Sequence, residues 1–168
     1  MIRCCRYTLD RGFQMRSGSI RLLTLLWVAF LLGVVQASVV INEVEQNPPG
    51  DENAFKTTVQ AWFELYNNDD KEVNIGGWVI NTSEGRSMTI PRGTVIKGLD
   101  YYVSAVPPHW LSKSGEVLIL KNETGAEEDR TPVLSDADDN EFAWTRDPDG
   151  RDTNSTEDWK FLASSSGF

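Results

Sequence analysis

Apolar positions along the chain follow two unlike patterns. Residues 22–35 are an uncharged run of 14, Leu-Leu-Thr-Leu-Leu-Trp-Val-Ala-Phe-Leu-Leu-Gly-Val-Val. A bilayer-spanning helix needs roughly 20 apolar residues, so this run is short for a permanent span. It has the length of a signal-peptide core. Arg16 and Arg21 supply the positive flank, and Val35-Gln36-Ala37 places small or modest side chains where a signal peptidase reads. Residues 1–37 are therefore expected to form a signal-peptide helix, cut between Ala37 and Ser38. The alternative is an uncleaved anchor, because tilt and thin bilayers tolerate short spans. A buried core helix fits less well, since no polar face interrupts the run. From Met15 onward the chain already reads as a complete signal peptide, and translation is expected to start there.

Beyond residue 38 the apolar residues come in short runs separated by turn-formers, without sustained helical spacing. Strands are expected at residues 39–44, 61–66, 73–75, 78–81, 87–90, 94–96, 101–105, 116–120, 142–145 and 159–161. Asn47-Pro48-Pro49-Gly50 and Pro107-Pro108 are strong breaks. Gly76-Gly77 reads as a bulge or tight bend. Residues 122–139 are polar and acidic, and a long surface loop is expected there. Many short strands with frequent turns predict an all-β sandwich, one domain over residues 38–168.

Charge sharpens this picture. The chain has 16 basic and 25 acidic residues; the leader holds five arginines and one aspartate, leaving 11 basic and 24 acidic, a net charge of −13, over residues 38–168. A field of that sign repels phosphate backbones, so no nucleic-acid partner is expected. Cys4 and Cys5 are the two cysteines, and both lie in the leader. The expected mature part has no disulfide, no thiolate nucleophile and no cysteine metal site. Membrane contact is expected only through an uncleaved leader.

Candidate chemistry is sparse. The one histidine, His109, sits in Pro-Pro-His-Trp without a nucleophile elbow, so a hydrolytic triad is not supported. Zinc is disfavoured because the expected mature part has one histidine and no cysteine. Alternation places Glu43 on a face with Val39 and Ile41, and Glu64 on one with Trp62 and Tyr66. Such carboxylates suit a glycosidase acid or a calcium ligand, or accept hydrogen bonds from backbone or from an arginine such as Arg146. Asp136, Asp138, Asp147, Asp149 and Asp152 are weak calcium candidates. Their spacing departs from the EF-hand loop: counted from Asp147 the glycine is fourth, and Asp158 rather than glutamate is twelfth. A solvated acidic loop is the competing reading. Asn81, Asn122 and Asn154 head glycosylation sequons placed in expected turns or loops. Trp62 and Trp78 read as core. Trp110 follows the proline break and is a candidate binding aromatic.

Taken in order, these segments resemble the lamin tail domain family, an immunoglobulin-like module found in many secreted microbial proteins. Val40-Ile41-Asn42-Glu43-Val44 with Asn47-Pro48 is similar to the family's opening strand and turn. Trp62-Phe63-Glu64-Leu65-Tyr66-Asn67 resembles its second strand, and Val73-Asn74-Ile75-Gly76-Gly77-Trp78 its Gly-Trp signature. Ile90-Pro91, Gly93-Thr94-Val95-Ile96, Leu111-Ser112 and Ser114-Gly115-Glu116 follow in sequence. Arg146-Asp147-Pro148-Asp149-Gly150, Asp152 and Asp158-Trp159-Lys160-Phe161 resemble the closing motif of microbial members. The departure falls at residues 127–139, where the family has a short valine- and tyrosine-containing strand and this chain is acidic and longer. The resemblance implies an immunoglobulin-like β-sandwich and a non-catalytic module of the cell envelope or extracellular space, binding protein or glycan surfaces. No cofactor is implied beyond calcium. The alternatives are a carboxylate-based extracellular hydrolase and a calcium-stabilised structural surface component. A hydrolase requires Glu43 and Glu64 in an open cleft; a binding module requires them buried and paired.

Overall fold

The computed structural model describes residues 38–51 and 60–166, all within one compact unit, Gln36–Phe168. The expected signal helix, Met15, the two cysteines and the Ala37 side of the cleavage site lie outside the described residues. The described residues form an all-β sandwich. Its strands are β1 (Val39–Glu45), β2 (Trp62–Asn67), β3 (Val73–Asn74), β4 (Val79–Thr82), β5 (Ser87–Thr89), β6 (Val95–Ile96), β7 (Tyr101–Ala105), β8 (Leu118–Lys121), β9 (Glu127–Arg130), β10 (Phe142–Arg146) and β11 (Trp159–Ala163). One sheet runs β11-β10-β1-β2-β7, a second β5-β4-β8-β9, and β3 pairs with β6 as a short ribbon. Every pairing is antiparallel.

The core forms where alternating side chains meet. Ile41, Val44, Phe63 and Leu65 come from the first sheet, and Ile80, Leu118 and Leu120 from the second, all buried. Ile75, Ile96, Leu111 and Leu134 close the ends, with Trp78 and Trp159 packed at the margin. Trp78 is core as expected. Trp62 is only half-buried at the mouth of β2. The Gly76-Gly77 bend is a turn closed by the Trp78 N–H on the Ile75 carbonyl at 3.0 Å, with Gly77 at φ 90°.

Two expectations from the sequence need correcting. The first concerns β1. Alternation puts Glu43 on the face of Val39 and Ile41, but the register steps from Ile41 opposite Leu65 to Glu43 opposite Glu64. Two residues of β1 thus match one of β2, a β-bulge at Asn42. The bulge turns Glu43 to the outer face while Ile41 keeps the core. The second concerns residues 122–139. Glu127–Arg130 is a strand, β9, paired to β8 with Leu120 opposite Asp129. Four consecutive charged residues show no alternation, so pairing with β8 rather than local pattern makes this strand. Asp129 is buried within it.

Gly77 and Gly98 separate two costs of adding a side chain. A Cβ at Gly77 meets nothing nearby but must adopt a left-handed backbone, so Gly77→Ala is expected to cost about 1 kcal/mol. A Cβ at Gly98 collides with the backbone of Asp70, so Gly98→Ala is expected to cost about 3 kcal/mol. Urea denaturation of the two variants measures the difference, and equal losses would contradict this packing.

Candidate functional site

The buried polar groups converge on Arg146, at the end of β10. β10 pairs with β1 only at Glu43 and Val44, so Ile41 has no strand partner on that side. Side chains substitute for the missing strand. The Arg146 Nε donates to the Ile41 carbonyl at 2.8 Å, and the Ile41 N–H donates to the Asp129 carboxylate at 2.7 Å. The Arg146 Nη2 grips both Asp129 oxygens at 3.0 Å. Arg146 thereby joins the first sheet to β9 of the second. Its Nη1 donates to the Arg151 carbonyl at 2.5 Å and lies 3.4 Å from Asp152 and 3.6 Å from Asp158. The guanidinium stacks over Trp159, 4.9 Å from the ring centre. Burial pushes the Asp129 carboxyl up to about 6, against the opposing pull of Arg146 and of the Ile41 N–H.

Asp158 anchors the following turn. It accepts from the Thr153 N–H at 2.7 Å, the Thr153 hydroxyl at 2.8 Å and the Arg151 Nε at 2.9 Å. Burial works to raise its pKa, but the Thr153 and Ser155 donors and the Arg146 charge outweigh burial and hold it below the usual carboxylate range.

The bulge sends the second polar group to the outer face of the first sheet. Glu43 and Glu64 stand opposite one another, both buried. Glu43 accepts from the N–H of Ser165 at 2.9 Å and its hydroxyl at 2.7 Å. Asn42, the bulged residue, donates to Glu64 and to Asp149 at 2.9 Å each, and accepts from the Gly150 N–H at 2.9 Å. The Tyr101 hydroxyl donates to the other Asp149 oxygen at 2.8 Å. The 147–151 turn and the chain at Ser165 thus lie across this face. Neither carboxylate stands in an open cleft.

The calcium candidates disperse. Asp147 pairs with Lys160 at the surface. Asp149 belongs to the Asn42 cluster and Asp152 to the arginine hub. Asp136 is buried and accepts from the Asp138 N–H at 3.1 Å, while Asp138 is exposed. Among the described residues no group of three or more His, Cys, Asp or Glu side chains is placed to hold a metal. The solvated-loop reading also fails for Asp129, Asp136, Asp152 and Asp158, whose carboxylates are taken into the fold.

The remaining candidates sit as follows. Trp110 is half-buried and packed against the core, while His109 is exposed at φ 60°. Asn81 lies within β4 opposite Ser87, not in a turn as expected, because the β4–β5 hairpin closes later at residues 82–86. The Asn122 amide nitrogen donates to Glu128 at 2.6 Å and its oxygen caps the hairpin turn before β9. Asn154 is exposed on its turn. Sequence reasoning missed Asp129, because its run carries no strand signal. Arg146 was noted only as a general partner for carboxylates. The density of aspartates downstream of it was the available signal.

Two shallow clefts adjoin these networks. One of about 180 Å³ lies beside the hub, lined by Arg130, Pro132, Asn154, Thr156 and Trp159 among others. The other, about 280 Å³, lies at the opposite end of β10 and β11, between the Pro48-Pro49 turn and Trp62. No helix of the described residues is long and apolar enough to cross a membrane.

A β-sandwich with this strand order and a polar interior that staples its sheets defines a scaffold domain of immunoglobulin type. The chain belongs to the lamin tail domain family, whose model matches residues 35–155. The family is one of non-enzymatic immunoglobulin-like domains. No curated protein matches the chain.

Removing one member of a buried ion pair strands the other, at a cost of about 3–5 kcal/mol. Arg146→Ala is expected to lose that much, and Asp129→Asn less, because the amide still occupies the site. Chemical denaturation of both variants checks the order.

The pH dependence follows from the raised carboxyls. Burial raises Glu43 and Asp136, and raises Glu45 to about 7 from its ordinary 4.5. In that window the folded chain binds more protons than the unfolded one, so stability falls as pH rises. The melting temperature is expected to be higher near pH 5 than at pH 7.5, with Glu45→Gln flattening the difference. A melting temperature that rises over this range contradicts the assignment.

Proposed function

We propose that the domain is a secreted or envelope-attached, non-catalytic module that binds protein or glycan surfaces. The observation that carries the reading is the state of Glu43 and Glu64. A retaining glycosidase holds its two carboxyl groups about 5 Å apart and open to substrate. Here the pair is buried and bonded to Ser165 and Asn42, in the manner of structural carboxylates. Family membership supports the same reading, although a fold by itself names no partner. Export rests on the leader: a short apolar run behind arginines, ending in a peptidase-like Val-Gln-Ala. The net charge of −13 over residues 38–168 favours basic or neutral partners over nucleic acid.

Envelope preparations and polysaccharide substrates test the reading together. Saturable retention on the envelope with no release of reducing sugar is expected. Glu43→Gln and Glu64→Gln are expected to lower the melting temperature with no turnover to abolish. Hydrolysis by the wild-type chain that Glu64→Gln removes would establish the hydrolase alternative instead.

A further inference from the structure

The end of the sandwich away from the arginine hub has a cleft that none of the networks above uses. Its walls are the Pro48-Pro49 turn on one side and Ala163 and Ser164, at the end of β11, on the other. Glu45, Trp62 and Glu141 complete the lining. Glu45 and Trp62 stand directly opposite on β1 and β2, and directly opposed residues share a face. An indole and a carboxylate therefore present themselves together, with the exposed Glu141 beside them. The Glu45 side chain is nearly enclosed, at 2 % residue exposure, and one of its oxygens accepts from the Asn47 N–H at 3.0 Å. Other carboxylates crowd the same end. Asp139 accepts from the Gly50 N–H at 2.9 Å, just past the proline turn, and Asp136 acts on Glu45 through its charge. Among the described residues, β11 is paired only with β10, leaving its outer edge open beside the cleft.

We propose that this cleft receives the lysine or arginine side chain of an extended segment of a partner protein, which lies along the open edge of β11. The proposal rests on the interaction-module reading and names the class of partner. Each part of the site suits that ligand. A guanidinium or ammonium over the Trp62 ring gains from the negative face of the aromatic. Glu45 and Glu141 neutralise it, and the prolines form a stiff wall that costs little entropy on binding. The open strand edge offers backbone hydrogen bonds to an extended chain. Burial and the neighbouring Asp136 push the Glu45 carboxyl up to about 7, so an incoming cation would relieve a charge that is already disfavoured. The excess of acid over the domain as a whole draws a basic segment toward this end.

A synthetic peptide alternating arginine and serine is the probe, with the glutamate–serine peptide as control, titrated against the full chain. Tryptophan fluorescence and the indole proton resonance of Trp62 are the readouts. Saturable, salt-sensitive binding of the arginine peptide is expected, with no response to the glutamate peptide. Trp62→Ala is expected to weaken binding about fivefold and Glu141→Gln about threefold. Glu45→Gln adds a third measure wherever circular dichroism confirms the fold. Glu72→Gln, exposed beyond the far end of β2, is expected to bind as the wild type does. Wild-type indifference to the arginine peptide overturns the proposal, as does equal binding by the Trp62 and Glu141 variants. A Trp62 response to neutral oligosaccharide in place of peptide also overturns it. Envelope retention is measured separately on Trp62→Ala: retention that persists leaves the module reading standing while removing this cleft from it.

Discussion

The sandwich depends on how the backbone of Ile41 is satisfied. β1 lies at the centre of its sheet, yet on one side β10 reaches only as far as Glu43. The amide and carbonyl of Ile41 are buried there, and buried backbone groups without partners are costly. Asp129 accepts from the one and Arg146 donates to the other, and the two side chains then bind each other. An ion pair in this position acts as a piece of β-ladder made from side chains. It also crosses the sandwich, because Asp129 belongs to β9 and Arg146 to β10. Charged groups at such a depth repay their desolvation only when every donor and acceptor is used. The further bonds of Arg146 to Arg151 and Asp152, and its stacking on Trp159, meet that condition.

The bulge at Asn42 and this ion pair belong together. The extra residue lets β1 present Ile41 inward and Glu43 outward within three positions, so both faces of the strand are buried. A strand covered on both sides needs a second layer of partners. The turn carrying Asp149 and Gly150 and the chain at Ser165 provide it. The carboxylates on that outer face are consequently consumed by the protein itself. This explains why a domain rich in acids can have strand-borne glutamates and still resemble a scaffold more than a hydrolase.

The acids therefore divide into two populations. Asp129, Asp152 and Asp158 are neutralised around one arginine, and Glu43, Glu64 and Asp149 are bound by serine, asparagine and tyrosine. Glu45, Asp136, Asp139 and Glu141 crowd the opposite end, where Lys113 donates to Asn47. The first population holds the fold together. In the second, Asp139 and Glu141 are exposed at that end while Glu45 and Asp136 are buried.

Much of this architecture is legible in the chain. Short apolar runs between proline, glycine and asparagine breaks place nearly every strand within a residue or two, and the ordered motifs place the family. These signals are local: alternation records which face is buried, and turn residues record where the backbone must reverse. The run of charges at 127–130 reads as a loop, and there the local pattern misleads. Tertiary structure alone decided the rest. β9 exists because β8 offers it a ladder, and Asp129 is buried because Arg146 and Ile41 meet it from 17 and 88 residues away. The bulge leaves no mark on alternation except an error, so Glu43 reads as inward-facing until its register against Glu64 is known. What the sequence determined by itself was the set of elements other than β9, their order and the acidity of the surface. Which acids would be spent inside the fold and which would stay exposed depended on contacts between distant residues, and no local pattern encodes those.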